Sequence, residues 1–369
     1  MSKNFLFGTM ALVLTLAASA AHADSNSSTI SQSGLNNQVG IDQVSGEGNS
    51  FYGNQQGDSN IIGFLNEGVF QPFLQNGNSN NASVNQYGNG NSVGPGIYFT
   101  DSGYQYGFQV GNGNVFSITQ YGDDNQSNAL QFGDSNIGSI YSQDNGNATF
   151  LTQYNGSGNS GSISQYGDGN AASIVQENGD NNLASILQNG NYNLGILYQN
   201  GSNNQAYLEQ DGNNNFGLIS QYGDGNSYSL IQTGDNNSDS IYQDSTGGAG
   251  TFNVINLFRV GEFNTTNLYS FGENNLIDIT QLGNYDYAYA YQNGNSNIIV
   301  LYQENDYQSF SGEQIGNFNS IYASQYSGGN VITASQIGDS NYQSFIQTGF
   351  GNIAGIIQQG NSNTASITQ

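Results

Sequence analysis

The sequence predicts an all-β fold, a β-solenoid of about fifteen two-strand rungs built from 11-residue half-repeats. Two observations carry this. The motif Gln-x-Gly-x-x-Asn occurs eighteen times in 369 residues, and long runs of it keep a single spacing. The residues that follow each motif then alternate in character with a period of two, which is the period of a strand.

The spacing comes first. Gln281, Gln292, Gln303, Gln314, Gln325, Gln336, Gln347, Gln358 and Gln369 lie eleven apart without a slip, as do Gln188, Gln199, Gln210, Gln221, Gln232 and Gln243. An eleven-residue period also suits a right-handed helical coil. Here Gly and Asn interrupt every unit, and both break helices and form turns. The turn is carried by glycines such as Gly167, Gly190, Gly201, Gly212, Gly223 and Gly360.

The alternation comes second. From Asn170 to Gln176, one face holds Asn170, Ala172, Ile174 and Gln176; from Asn204 to Gln210 it holds Asn204, Ala206, Leu208 and Gln210. A single short strand cannot bury that face. Two units facing each other across a narrow core can, which gives a rung of about 22 residues. At ~4.8 Å between paired strands, the stack extends roughly 70 Å.

Because the inward amides recur at each rung, they stack on copies of themselves. An amide donates and accepts, so a column of them can satisfy itself along the stacking axis. The expected ladder comprises Gln165, Asn170, Gln176, Gln188, Asn193, Gln199, Asn204, Gln210, Asn215, Gln221, Asn226 and Gln232, and further on Gln292, Asn297, Gln314, Asn319, Gln336, Asn341, Gln347, Asn352, Gln358, Asn363 and Gln369.

Residues 1–23 read as a secretory signal peptide. Lys3 supplies a positive start, residues 5–18 are mostly apolar, and Ala21-His22-Ala23 offers small residues at Ala21 and Ala23 for cleavage. No other segment approaches the ~18 apolar residues of a membrane span, so residues 24–369 are expected to be exported. Removing the signal takes Met1, Met10, Lys3 and the sole His22 with it. Arg259 is then the one basic residue against 27 acidic ones, and there is no Cys. That balance excludes nucleic acid, whose binding rests on Lys and Arg, and anionic membrane surfaces. Without His, Cys or a phosphate-loop Lys, no catalytic constellation forms, and neither an enzyme nor a cofactor is expected.

The units Gln165, Gly167, Asn170, Ala172, Gln176 and Gln199, Gly201, Asn204, Ala206, Gln210, and again Gln358, Gly360, Asn363, Ala365, Gln369, resemble the curlin repeat of curli subunits in bacterial biofilm fibres. The resemblance covers nearly the whole exported chain. It implies a functional amyloid that polymerises end to end outside a Gram-negative cell, with itself as principal partner, a minor nucleator curlin, and an outer-membrane curlin secretion channel. Most halves here are Asn-led, the repeats are more numerous than in short family members, and the glycine-rich N-terminal targeting stretch is missing. Independently, Gln369 is followed by no cap, and the exported body has almost no Lys, Arg or Pro to guard a strand edge.

Pattern breaks fall near 66–74, 92–108 and 244–258 and read as loops extruded from a rung. Pro72 and Pro95 sit in the first two, and Thr246-Gly-Gly-Ala-Gly250 marks the third. Arg259 and Ser270 then occupy Gln slots, and Arg259 is expected to pair with a nearby acid such as Glu262. The Asp-rich turns at Asp123-Asp124 and Gly167-Asp168-Gly169 read as solvated turns rather than a metal site, because the calcium-binding roll has a nine-residue period. Tyr87, Tyr121, Tyr154, Tyr166, Tyr222 and Tyr326 follow ladder glutamines and point outward by parity. The function expected is a secreted structural subunit of an extracellular fibre for biofilm matrix and adhesion. The alternative is a monomeric secreted β-solenoid adhesin or binding surface.

Overall fold

Each half-repeat folds in the same way. In strand Gln205–Asp211 the side chains of Ala206, Leu208 and Gln210 are buried and the alternate ones face outward. A turn of three residues, Gly212, Asn213 and Asn214, then delivers the buried Asn215 to the next strand. The first and third turn residues lie in the left-handed region, as at Gly201 (φ 117°) and Asn203 (φ 59°). Asn tolerates that region, but the first position needs glycine for a second reason. A Cβ on Gly201 would lie 2.1 Å from the carbonyl oxygen of Gly223, one rung further on.

The computed structural model describes residues 14–16, 25–66, 69–100, 103–107, 109–245 and 252–369. Of residues 14–16, 44–45, 64–66, 69–71, 95–100 and 103–107 it describes the backbone alone. The chain divides into two compact units, Met1–Tyr154 and Asn155–Gln369. Each is a β-solenoid whose strands alternate between two parallel sheets.

In the second unit, Ser160–Tyr166, Leu183–Asn189, Gln205–Asp211 and Ser227–Thr233 open one sheet, which runs on to Thr364–Thr368. Ala171–Glu177, Leu194–Asn200, Phe216–Tyr222 and Ser238–Asp244 open the other, which runs on to Ile353–Gln359. The pairing is parallel and in register: Gln188 lies opposite Gln210, and Gln210 opposite Gln232. The core between the sheets holds aliphatic side chains such as Ile174, Leu197, Leu208 and Ile219, each almost wholly buried. Burying one of them contributes about 1.5–3 kcal/mol. Large residues are matched by small neighbours. Phe310 is accommodated by Gly312, where a Cβ would come within 2.5 Å of its ring.

The first unit follows the same plan but carries two antiparallel hairpins. Its rung strand stops at Ile62, turns out through Phe64–Asn66 and Val69–Gln71, and resumes at Phe73–Asn76. The sequence reading placed this insertion at 66–74, too late by a few residues. Phe73 is fully buried opposite Ile41 and belongs to the core, so the departing segment is 63–72. Likewise Ser92–Pro95 stays in the ladder against Gln126–Ala129, and the second hairpin occupies Gly96 to Gly107 rather than starting at Ser92. Pro95 needs no donor at the point where the strand leaves the sheet. In the second unit, Asp244 still ends one rung strand and Val254–Val260 forms the next, so that insertion shrinks to 245–253. Its centre, including Thr246 to Gly250, lies outside the described residues. So do the expected cleavage residues Ala21 and Ala23. Within the expected signal segment, Leu14–Leu16 is described as a short strand beside Val39–Ile41.

Candidate functional site

The chemistry of this chain lies in its columns of amides. In one sheet of the second unit, Gln165 Nε2 donates to Gln188 Oε1 at 2.9 Å, Gln188 to Gln210 at 2.9 Å and Gln210 to Gln232 at 3.0 Å. In the other sheet, Gln176 donates to Gln199 at 2.9 Å, Gln199 to Gln221 at 2.9 Å and Gln221 to Gln243 at 2.8 Å. The columns resume further on: Gln292 to Gln314 to Gln336 to Gln358 in one, and Gln325 to Gln347 to Gln369 in the other. Each Nε2 has a second hydrogen, and it crosses the core. Gln199 donates to the Leu183 carbonyl at 3.0 Å and Gln221 to the Gln205 carbonyl at 3.0 Å, both on the opposite sheet. One amide therefore binds its rung to the next rung and its sheet to the facing sheet.

The asparagines do a related task at the corners. Asn170 Oδ1 accepts the backbone N–H of Asn193, and Asn193 Oδ1 that of Asn215, both at 2.9 Å. The Nδ2 of Asn193 donates to the Gly212 carbonyl at 2.7 Å, closing the turn of the next rung. Asn204 and Asn226 form the matching column at the other corner, as do Asn297, Asn319, Asn341 and Asn363. Asn352 lies in the first column and donates its N–H to Asn330 Oδ1 at 2.8 Å. At the last rung burial falls away: Asn363 is half-buried and Gln369 exposed.

The turn acids have a structural reason as well. Asp224 Oδ1 accepts the Ser202 N–H at 2.7 Å, and Asn213 Oδ1 accepts the Asn191 N–H at 2.9 Å in the same turn position. Only one side-chain oxygen is required there, so Asp and Asn interchange. Among the described residues no group of three or more His, Cys, Asp or Glu could hold a metal ion.

The ladder is interrupted where other residues fill Gln slots. Ser142 does so in the first unit, and Gln120 turns to Ser127 Oγ instead, at 3.0 Å. In the second unit one rung carries both Arg259 and Ser270. Arg259 is fully buried and forms a 2.7 Å salt bridge with Asp239, itself fully buried. The sequence reading expected a nearby acid such as Glu262. The inward parity of Arg259 excludes that, because its slot points into the core. Its guanidinium also donates to Gln281 Oε1 at 2.7 and 2.9 Å, to the Asn264 carbonyl at 3.2 Å, and to Thr266 Oγ1. Gln232, left without a Gln partner, donates to Asp239. Burial raises the Asp239 carboxyl above the usual carboxylate range, and Arg259 works against that rise. The buried Tyr228 belongs to the same cluster, and Asp239 adds to the effect of burial in pushing its phenol well up. Nothing in the sequence pattern marked Asp239 as the partner. The signal was available: it is an acid at an inward position where other units place Ala172, Ala184 or Ala206.

Asp286 is a second exception, standing in an Asn column. Its N–H donates to Asn264 Oδ1 at 2.7 Å and its Oδ1 accepts the Gln308 N–H at 2.9 Å. Its Oδ2 has no partner, where an asparagine would present a donor. Burial pushes this carboxyl up to about 7. The Gln308 N–H opposes the rise, Asp306 adds to it, and Arg259 opposes it.

Outward positions carry aromatic rings. Tyr87 and Tyr121 stack at 4.7 Å. On one face of the second unit a continuous row runs Tyr198, Tyr222, Tyr242, Phe271, Tyr291, with centroids 5.2–5.6 Å apart. The sequence reading singled out only the tyrosines after the Gln slot. Tyr198, Tyr242 and Tyr291 precede it, and both positions share the outward parity. A ring after one slot thus meets a ring before the next.

A family model described as curlin associated repeat matches residues 179–212, 272–304 and 338–369. The chain carries curlin repeats. All three matches fall within the second unit, in stretches where the curlin-repeat columns run through Gln188, Gln292 and Gln358. No curated protein matches the curlin-repeat chain. Among the described residues no helix is long and apolar enough to cross a membrane.

Three outcomes follow from this geometry. Gln210→Ala leaves the amides of its neighbours unpaired and costs about 1–3 kcal/mol for each group orphaned, whereas Glu209→Ala on the outward face stays within about 0.5 kcal/mol; denaturant unfolding of both variants measures the contrast. Arg259→Gln alone buries an unpaired Asp239 and destabilises by about 3–5 kcal/mol, while the double change Asp239→Ala with Arg259→Gln recovers most or all of that loss, as a double-mutant cycle reads directly. The third concerns pH. With Asp286 raised from 3.8 to about 7 in the fold, the folded state holds the proton more tightly than the unfolded chain. Its contribution is therefore fully present below pH ~4 and is lost as pH rises towards about 7. Asp286→Asn should stabilise the protein above neutral pH and leave it little changed at acidic pH, as thermal melts across that range would show.

Proposed function

We propose that the curlin-repeat protein is a secreted structural subunit that self-assembles end to end into curli-like amyloid fibres of an extracellular matrix, where it serves cohesion and adhesion. Family and fold together support a structural role rather than a catalytic one. One observation carries the assembly step. In the uninterrupted columns a rung satisfies its amides along the stacking axis by meeting an in-register copy of the same residues, so a rung from a second molecule meets the same chemistry. Strand Ile353–Gln359 pairs with Val331–Ile337 on one side, and its Ile353 and Ile357 are 74% and 73% exposed, an apolar edge suited to a further rung.

The partners in this reading are other copies of the chain, a minor nucleator curlin and an outer-membrane curlin secretion channel in a Gram-negative cell. The signal-like residues 1–23 would direct passage through the periplasm. The nearly base-free composition, with Arg259 alone against 27 acids in residues 24–369, supports no nucleic-acid partner.

Incubating purified residues 24–369 tests this. The expected outcome is fibres that diffract at ~4.7 Å along their axis, with a lag phase abolished by preformed seeds. A chain that keeps β-rich spectra yet remains monomeric with seeds present would instead make it a solitary binding surface.

A further inference from the structure

The chain has no Cys and no Trp, and its two Met lie at positions 1 and 10. Its 25 tyrosines are therefore the readily oxidised side chains of the folded body. Two of them are held in an unusual way. Phe263, Tyr285 and Tyr307 occupy the third turn position of successive rungs at one corner of the second unit, with φ of 56°, 59° and 61°. Asn, Ser or Gly fills this left-handed position in most other turns, because bulky side chains rarely adopt it. The backbone holds the three in line: Tyr285 N–H donates to the Glu262 carbonyl at 3.0 Å and Tyr307 N–H to the Asn284 carbonyl at 2.9 Å. The rings stack nearly parallel. Phe263 and Tyr285 lie 5.0 Å apart at 5°, and Tyr285 and Tyr307 lie 5.0 Å apart at 2°. Tyr285 and Tyr307 are 49% and 63% exposed, open to a small oxidant.

We propose that Tyr285 and Tyr307 are a covalent modification site, at which a peroxide-driven one-electron oxidant joins them as dityrosine and ties one rung to the next. Each phenol gives up an electron and its hydroxyl proton. The two phenoxyl radicals form a carbon–carbon bond between ring positions ortho to the oxygens, and the two displaced ring hydrogens move to the oxygens to restore both phenols. One hydrogen peroxide takes up the two electrons and two protons and leaves as two waters. The product is lighter than the parent by two hydrogens.

The corner makes this pair selective. Below Tyr285 stands Phe263, which has no phenol to oxidise, and above Tyr307 the column continues with Gly329. Each radical therefore has one stacked phenol partner, already in place, which turns an encounter between molecules into a reaction within one. Tyrosines in the outward row are placed less favourably: Tyr198 and Tyr222 meet at 43°, and the Tyr198 hydroxyl is bonded to Glu177. Tyr87 and Tyr121, stacked at 4.7 Å and 8°, share the favourable geometry and give a second link in the first unit. In a chain without cysteine, such links do the work of disulfides. The site does not depend on fibre assembly.

The test oxidises the dilute, folded full chain with a haem peroxidase and hydrogen peroxide. The product is then denatured and cut before Asp. Tyr285 is the sole tyrosine of fragment 278–285, and Tyr307 lies in fragment 306–338. The expected product is these two fragments joined, two hydrogens short of their summed mass. It should be lost in Tyr285→Phe and in Tyr307→Phe, which keep the stacked rings and the thermal melt, and kept in Tyr326→Phe. Chain unfolded in urea before oxidation should show no enrichment of this link. Persistence of the joined fragments in Tyr307→Phe, equal yield from unfolded chain, or coupling of the folded chain elsewhere with this link absent would each overturn the proposal.

Discussion

A glutamine side chain that uses both amide hydrogens, one along the stack and one across it, is the interaction on which this structure depends. Gln199 shows the arrangement: one hydrogen goes to Gln221 Oε1 at 2.9 Å and the other to the Leu183 carbonyl on the facing sheet at 3.0 Å. A buried amide left unpaired costs about 1–3 kcal/mol, so the core tolerates glutamine only if a neighbour rung and a facing strand are both in place. This couples the two directions of the solenoid. It also explains why the alternating strands contain just two aliphatic inward positions between Asn and Gln. The apolar residues supply the burial energy, and the amides decide which residue lies on which.

Repetition brings a hazard. A strand moved along the stack by one rung would meet nearly the same pattern, so identical repeats do not by themselves fix their order. The buried Arg259–Asp239 pair is not repeated. Only one alignment brings the guanidinium to Asp239, Gln281 and the Asn264 carbonyl together. Any other leaves two charges buried alone, at a cost of several kcal/mol. The pair spans the 245–253 insertion, Asp239 before it and Arg259 after it, and nearby Asn226 Oδ1 and Ser270 Oγ have no partner. Among the described residues this one buried ion pair thus lies where the ladder is broken. Asp286 departs from the rule in a milder way, replacing an amide by an acid whose burial holds it partly protonated near neutrality.

The all-β class, the two-strand rung and the inward parity were legible because a period of two and a period of eleven coincide in the sequence. Once Asn204, Ala206, Leu208 and Gln210 share a face, little else about the rung is free. The hairpin limits were less legible. Phe64–Asn66 and Val69–Gln71 look like strand residues, and Phe73 resembles its neighbours until the pairing with Ile41 shows that it is core. The partner of Arg259 was legible only as an anomaly: Asp239 is an acid in a slot that other units give to Ala, but it lies in the preceding rung on the opposite sheet, and no local pattern joins the two. The aromatic row was read only in part, since three of its five rings precede the Gln slot rather than follow it. The stacked corner of Phe263, Tyr285 and Tyr307 breaks the turn pattern, and that break was its signal.

The most direct measurement is side-chain amide hydrogen exchange, followed by NMR on protein labelled with 15N at the glutamine side chain. If Nε2 hydrogens of Gln188, Gln199, Gln210 and Gln221 bind a neighbour rung and the facing sheet, they exchange as slowly as the backbone amides of their own strands. Exchange of these side chains at the rate of free glutamine would contradict the account, whatever the overall fold.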